Sequence, residues 1–189
     1  ARLAEEVKSV TDRCDVALVI NDYPAIASQI GAAYCHMGQE DLLLDETTDE
    51  VFGILDLKCG IQYGVSTHSP AQVKRSISMG AAYLGVGPVY PTGTKPNAKP
   101  VTLEYVRWAA QHLALPWFAI GGINLQNLPQ VLAAGARRIC VVSAILQTPD
   151  VSVATAAFRR QFDLAGPFAT LNRPNGRGHR LAGCPHTPH

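Results

Sequence analysis

The segment WFAIGGINLQNLPQVLAAGARRICVVS, from Trp117 to Ser143, holds one full repeat of the pattern that decides the fold. Two short apolar runs, Trp117 to Ile120 and Ile139 to Val142, stand at its ends, and between them Leu128, Val131 and Leu132 recur at helical spacing. Runs that are apolar nearly throughout, with no polar alternation, suit parallel strands buried on both faces. Asn127 ahead of Leu128 and Pro129 reads as an N-cap followed by the first helical turn. Gly135, ahead of Ala136, suits the left-handed residue that ends a helix. The order is strand, helix, strand.

The same unit recurs outward from this segment. Gly31-Ala32 and Gly80-Ala81 repeat the Gly135-Ala136 junction, and Ser69-Pro70 repeats the helix start. Further strand candidates are Val16 to Ile20, Ala33 to Met37, Ile61 to Val65 and Tyr83 to Val86, which brings the count to six. A helix at about Leu3 to Thr11 precedes the first strand, and Leu103, Val106, Ala110 and Leu113 mark another. A repeating βα pattern with a buried parallel sheet either closes into a barrel or stays open and doubly wound. No G-x-G-x-x-G follows any strand, which weakens the open dinucleotide-binding alternative. An eightfold barrel needs at least about 200 residues, whereas this chain has 189. The expectation is therefore an α/β chain with a TIM (β/α)₈ barrel fold lacking its first two strands. The first residue is alanine, so a piece processed or cut from a longer chain is expected. The barrel domain is placed at residues 1–165, with 166–189 as an irregular tail rich in Pro, Gly, Arg and His.

Sixteen Lys and Arg against 15 Asp and Glu leave a formal charge of +1. Such a balance provides no long-range field for a nucleic acid or an anionic membrane, so any anion must be gripped locally. The five cysteines are odd in number and form no C-x-x-C pair, against both a disulfide framework and a zinc site. A reducing cytoplasm is the expected compartment. The apolar runs are far too short to cross a bilayer, and no secretory leader is expected.

In parallel barrels the chemistry gathers where the strands end, so the residues just after each run are the ones to inspect. They read Asn21-Asp22, Gly38-Gln39-Glu40-Asp41, Ser66-Thr67-His68, the loop Gly87 to Val101, Gly121-Gly122-Ile123-Asn124, and Ser143. Asp22 and Asp41 end successive strands and could form a hard-oxygen magnesium site with room for water and phosphate. The plainer alternative is that Asp22 caps a helix and Asp41 sits in a turn. Gly121-Gly122 and Val142-Ser143 end the last two strands, where barrels commonly bind phosphate through backbone N–H groups, although a plain turn is also open. Pro91-Thr92-Gly93-Thr94-Lys95-Pro96 sits in a connection of about 15 residues, long enough for a functional lid. Its two hydroxyls and ammonium suit a phosphate or pyrophosphate; a solvated loop is the alternative. His68 adjoins the helix start at Ser69-Pro70 and receives no catalytic role.

The succession Ile20-Asn21-Asp22, His36 to Asp41, Gly64 to Ser69, Gly85 to Lys95 and Ala119 to Ile123 resembles the thiamine-phosphate synthase family. The likeness spans roughly Ala4 to Phe162, and five motifs in one order at rim positions make it specific. The resemblance implies a transferase that couples hydroxymethylpyrimidine pyrophosphate with hydroxyethylthiazole phosphate to give thiamine phosphate and pyrophosphate. It implies Mg²⁺ held by Asp22 and Asp41. It further implies that Asn21, Ser66 and Lys95 contact the pyrimidine substrate, Ser66 and Lys95 with catalytic roles. Thr92, Gly93, Thr94, Gly122, Val142 and Ser143 would surround the thiazole phosphate. Because the thiazole nitrogen carries no proton, no general base is needed; catalysis is electrostatic and by proximity. The partners implied are small phosphorylated molecules, and assembly into a homo-oligomer stays open.

The chain departs from the family pattern in three ways. The family carries two further strands before the position of Ala1, the second with a basic Gln, Arg and Lys segment; Tyr23-Pro24 follows Asn21-Asp22; and the tail is atypical. Two rival readings stay open. One is the related thiazole tautomerase, which has less need of a pyrophosphate site, and the other is a degenerate barrel that binds thiazole phosphate without turnover.

Overall fold

The repeated strand-helix units fold into one parallel sheet with helices along one face. The computed structural model describes residues 1–40, 42, 61–93 and 99–164. Six strands run in the order β1 Val19–Asn21, β2 Tyr34–Met37, β3 Gln62–Thr67, β4 Tyr83–Val86, β5 Trp117–Ile120 and β6 Ile139–Cys140, each paired in parallel with its chain neighbours. The described helices are α1 Arg2–Arg13, α2 Pro24–Gln29, α3 Pro70–Ser78, α4 Thr102–His112, α5 Leu128–Ala133, α6 Ser143–Leu146 and α7 Val151–Leu164. A sheet whose order equals its chain order, with helical crossovers, is an arc of a barrel. Among the described residues, β1 and β6 are its edges.

Alternate residues of each strand divide between the two faces. Cys35, Met37, Val65, Leu84, Val86 and Ala119 face the helices and join one core with Ala27, Val73, Val106, Ala109, Leu128 and Val131. The opposite, inner face carries Tyr34, His36, Ser66, Tyr83 and Phe118, all half-buried. Asn21, His36, Gly64 and Tyr83 form one row across this face, in register over β1 to β4.

The helix-ending glycines have the expected left-handed backbone, with φ of 62° at Gly31, 82° at Gly80 and 101° at Gly135. Ser69 caps α3 by accepting from the Gln72 N–H at 3.3 Å. Asn127, expected to act alike, makes no cap bond to its helix. Its side chain turns back instead: Oδ1 accepts from the Asn124 N–H at 2.8 Å, and Nδ2 donates to the Gly122 carbonyl at 2.9 Å. The Asp22 capping alternative also fails, because the N-cap of α2 is Tyr23, with no side-chain cap bond.

Helix α1 has no buried residue, and Leu3, Val7 and Val10 are exposed on it. Val142, Leu146, Val151 and Val153 are exposed around β6, α6 and α7. Among the described residues, no disulfide joins Cys14, Cys35 and Cys140, and no helix is long and apolar enough to cross a membrane.

Candidate active site

The strand ends meet on one rim, and the rim is built from backbone approaches that side chains would block. Gly121 and Gly122 follow β5 with φ of 91° and 65°. A Cβ at Gly121 would stand 2.4 Å from Pro88 Cβ, and one at Gly122 would stand 2.5 Å from the Pro91 carbonyl oxygen. Both lie below any tolerable contact, so only glycine fits. The Val89 N–H donates to the Ile120 carbonyl at 2.8 Å and the Tyr90 N–H to the Gly121 carbonyl at 3.2 Å. Asn127 holds Gly122 from the other side. The loops after β4 and β5 thereby form one unit, which brings Gly122 beside the segment leading to Thr92 and Gly93. A Cβ at Gly93 would meet nothing within 4 Å, so the space there is open. The Gly87-Pro88 peptide in this unit is cis.

Asn21 ends β1, and its Nδ2 donates to Asp22 Oδ2 at 2.5 Å. The Asp22 N–H donates to the His36 carbonyl at 2.9 Å, which fixes it to the end of β2. Asp22 has φ of 64°, a left-handed backbone that aspartate tolerates better than most residues. Strain of this kind concentrates at functional positions.

Ser66, expected just beyond β3, lies within it: the strand continues to Thr67, pairing Ser66 with Gly85 and Thr67 with Val86 of β4, and the Thr67 hydroxyl donates to the Gly85 carbonyl at 2.9 Å. The Tyr105 hydroxyl donates to Thr67 Oγ1 at 3.0 Å, tying α4 to the same point. The Ser66 carbonyl accepts from Gln39 Nε2 at 2.7 Å, and Gln39 Oε1 accepts from Arg75 Nη2 at 2.9 Å. This chain pins the segment after β2 to β3 and α3. His68 Nδ1 contacts the Gly87 carbonyl, which gives that ring a bridging place at the rim.

On the inner face His36 Nε2 lies 2.8 Å from Ser66 Oγ, and Nδ1 lies 3.0 Å from the Tyr83 hydroxyl. The His36 and Tyr83 rings stack with centroids 5.6 Å apart. Burial is the main cause that raises the Tyr83 phenol above its ordinary range, with Cys140, Cys35 and Tyr34 adding to it. Neither His36, which only opens one of the resemblance motifs, nor Tyr83 receives a role at the site from the sequence, since both fall inside apolar runs. The alternation Tyr34, His36 against Cys35, Met37 was the available signal.

Of the residues expected at the site, Asn21, Asp22, Ser66, Thr92, Gly93, Gly122, Val142 and Ser143 are described; Asp41, Thr94 and Lys95 lie outside the described residues. Val142 and Ser143 are exposed just beyond Cys140, whose register partner is Ile120. The expected pairing of Asp22 with Asp41 thus also falls outside. The donor chemistry at Asp22 fits magnesium, a hard ion that takes one or two carboxylates and completes its shell with water and phosphate. Among the described residues, no group of three or more His, Cys, Asp and Glu gathers.

The chain has clear relatives. The family model for thiamine monophosphate synthase matches residues 1–145. A thiamine-phosphate synthase of Thermus thermophilus is 45% identical over 160 residues, covering 84% of this chain and 74% of that protein. One from Lawsonia intracellularis is 38% identical over 160 residues, covering 84% and 71%. The solved structure of a thiamine phosphate pyrophosphorylase from Pyrococcus furiosus superposes with a TM-score of 0.74 at 28% identity, covering 87% of this chain and 76% of that one.

Proposed function

Because the chain belongs to the thiamine monophosphate synthase family, we propose that it is a transferase joining hydroxymethylpyrimidine pyrophosphate to hydroxyethylthiazole phosphate, with thiamine phosphate and pyrophosphate as products. The observation that carries this reading at the site is the rim itself. There Asn21-Asp22, the Gln39-Ser66 link and the stitched Pro88 to Pro91 and Gly121-Gly122 unit stand at successive strand ends.

In this reading the C–O bond to pyrophosphate breaks first, and the pyrimidine methylene carbon carries the positive charge. The thiazole nitrogen then donates its lone pair to that carbon. No proton moves, so the residues bind, orient and balance charge. Asn21, Ser66 and Lys95 hold the pyrimidine pyrophosphate. Thr92, Gly93, Thr94, Gly122, Val142 and Ser143 hold the thiazole phosphate, the glycine by leaving its backbone open to close approach. Asp22 and Asp41 hold Mg²⁺, which when bound supplies positive charge against the leaving pyrophosphate. The combination of Asp22, Asp41 and Thr92-Gly93-Thr94-Lys95 favours the synthase over the related tautomerase, which has less need of a pyrophosphate site.

The proposal includes a closed (β/α)₈ barrel, with two further strands between β6 and β1. Supporting it are the one-sided pairing of both edge strands among the described residues and the exposed apolar residues Leu3, Val7 and Val10 on α1. The partners are small phosphorylated molecules and the compartment is the cytoplasm; the tail expected at 166–189 lies outside the described residues.

Asp41→Asn tests the site. Turnover should fall far more than thiazole-phosphate affinity; an unchanged rate would remove the metal assignment.

A further inference from the structure

The turn after β2 is tied to the end of β3 by one side chain. In the parallel ladder, β2 runs in register with β3 as far as Met37 opposite Val65. The next carbonyl on that edge of β3 belongs to Ser66, and a continued β2 would offer it the backbone N–H of Gln39. The chain turns at Gln39 instead, and the side chain of the same residue supplies the donor, Nε2 at 2.7 Å. The turn is compact as well: a Cβ at Gly38 would stand 2.7 Å from Glu40 Cδ, so the Glu40 carboxyl lies against Gly38.

Both ends of the Gln39 amide are settled by their partners. A backbone carbonyl only accepts and a guanidinium only donates, so the nitrogen faces Ser66 and the oxygen, 2.9 Å from Arg75 Nη2, faces α3. The Arg75 bond is charge-assisted and holds the amide against rotation from an exposed position on α3. Ser66 is half-buried on the inner face, and Asp41 follows Glu40 directly in the chain. In the proposed function both Ser66 and Asp41 serve the pyrimidine pyrophosphate, and neither serves the thiazole phosphate.

We propose that Gln39, aimed by Arg75, is a positioning residue for the pyrimidine pyrophosphate: it sets the turn 38–40 against the Ser66 end of β3, and so fixes the spacing of the groups that receive that substrate. Gln39 acts through the turn and the strand end, and Arg75 acts through Gln39. The identity of the substrate rests on the proposed function; the brace itself does not. The thiazole-phosphate side is stitched separately, by the Val89 and Tyr90 bonds to Ile120 and Gly121 and by Asn127 on Gly122, so loss of the brace leaves it in place.

Steady-state kinetics and hydrogen exchange test it. Gln39→Ala should raise KM for the pyrimidine pyrophosphate about tenfold, the scale of one lost hydrogen bond, with KM for thiazole phosphate unchanged. Gln39→Glu keeps the size and the Arg75 contact but sets an acceptor against the Ser66 carbonyl, so the same KM should rise at least as far. Arg75→Met removes an exposed partner and should raise it about threefold, adding nothing in the Gln39→Ala background. A wild-type KM in Gln39→Glu, equal rises for both substrates, or an undiminished Arg75→Met effect without Gln39 would overturn the inference. On the substrate-free protein, the backbone N–H groups of residues 38–40 should exchange severalfold faster in Gln39→Ala and in Arg75→Met. Unchanged exchange in both variants would show that no brace exists. A wild-type protein that forms no thiamine phosphate would fail the synthase reading and with it the choice of substrate, while the exchange rates would still decide the brace.

Discussion

Gly64 and Tyr83 share one volume: a Cβ on the first would stand 1.9 Å from Cζ of the second, so the phenol crosses β3 only over a bare position. The two are register partners on neighbouring strands. The inner face therefore depends on an absent side chain as much as on those present.

Gly64→Ala should displace the Tyr83 ring and destabilise the fold by about 1–3 kcal/mol, as overpacking does. Denaturant unfolding measures this. In a Tyr83→Leu background, where no ring opposes the new methyl, the same substitution should cost less. Equal costs would show that the ring is not what Gly64 accommodates.

Asp22 separates strain from chemistry. At φ of 64° glycine is at ease, while a side chain other than Asn or Asp costs roughly 1–2 kcal/mol. Asp22→Gly should thus unfold at the same or a higher denaturant concentration, yet lose turnover by about a hundredfold or more. Asp22→Ala should lose both. If Asp22→Gly retains turnover, its carboxylate holds no ion that matters to the rate.

Asn127 clamps the Gly121-Gly122 turn through its bonds to Gly122 and Asn124. Asn127→Ala should cost about 1–2 kcal/mol in stability and raise KM for thiazole phosphate, with little effect on the pyrimidine substrate. Steady-state kinetics with each substrate varied in turn will show whether the effect is confined to one side. A rise for both would place the turn between the two substrates.

Burial raises the Tyr105 phenol above its ordinary value of about 10, although its hydrogen bond to Thr67 acts the other way. The native state keeps this proton after the unfolded chain has released it, so the unfolded state binds fewer protons and stability falls with rising pH. Tyr105 should therefore contribute in full below about pH 10 and lose its contribution as pH climbs through its native value. Unfolding at several alkaline pH values should show a shallower decline in Tyr105→Phe. An identical decline would assign the alkaline loss to other groups.

The sequence made all six strands visible because buried parallel strands are apolar on both faces, and Tyr83–Val86 and Trp117–Ile120 have the boundaries read from it. The edge strands are shorter than their apolar runs. Pairing of β1 begins only where Val19 meets Tyr34, and β6 stops at Cys140 because its neighbour turns away at Gly121. Strand β3 extends past its apolar run because Ser66 and Thr67 still pair with Gly85 and Val86 of β4, and the buried Thr67 hydroxyl is satisfied on the Gly85 carbonyl. The rim positions were legible as polar residues after apolar runs. The His36-Tyr83 pair was not, since its partners are 47 residues apart and its enabling feature is a side chain that Gly64 lacks. The turned-back Asn127 was likewise hidden, because capping and loop clamping use the same amide.

Formation of thiamine phosphate from both substrates, followed with magnesium present and again after chelation, tests the synthase assignment most directly. Product that appears with magnesium and is lost on chelation is the expected result. Thiazole phosphate that binds while no thiamine phosphate forms in either condition would contradict the assignment and leave a binding protein in its place.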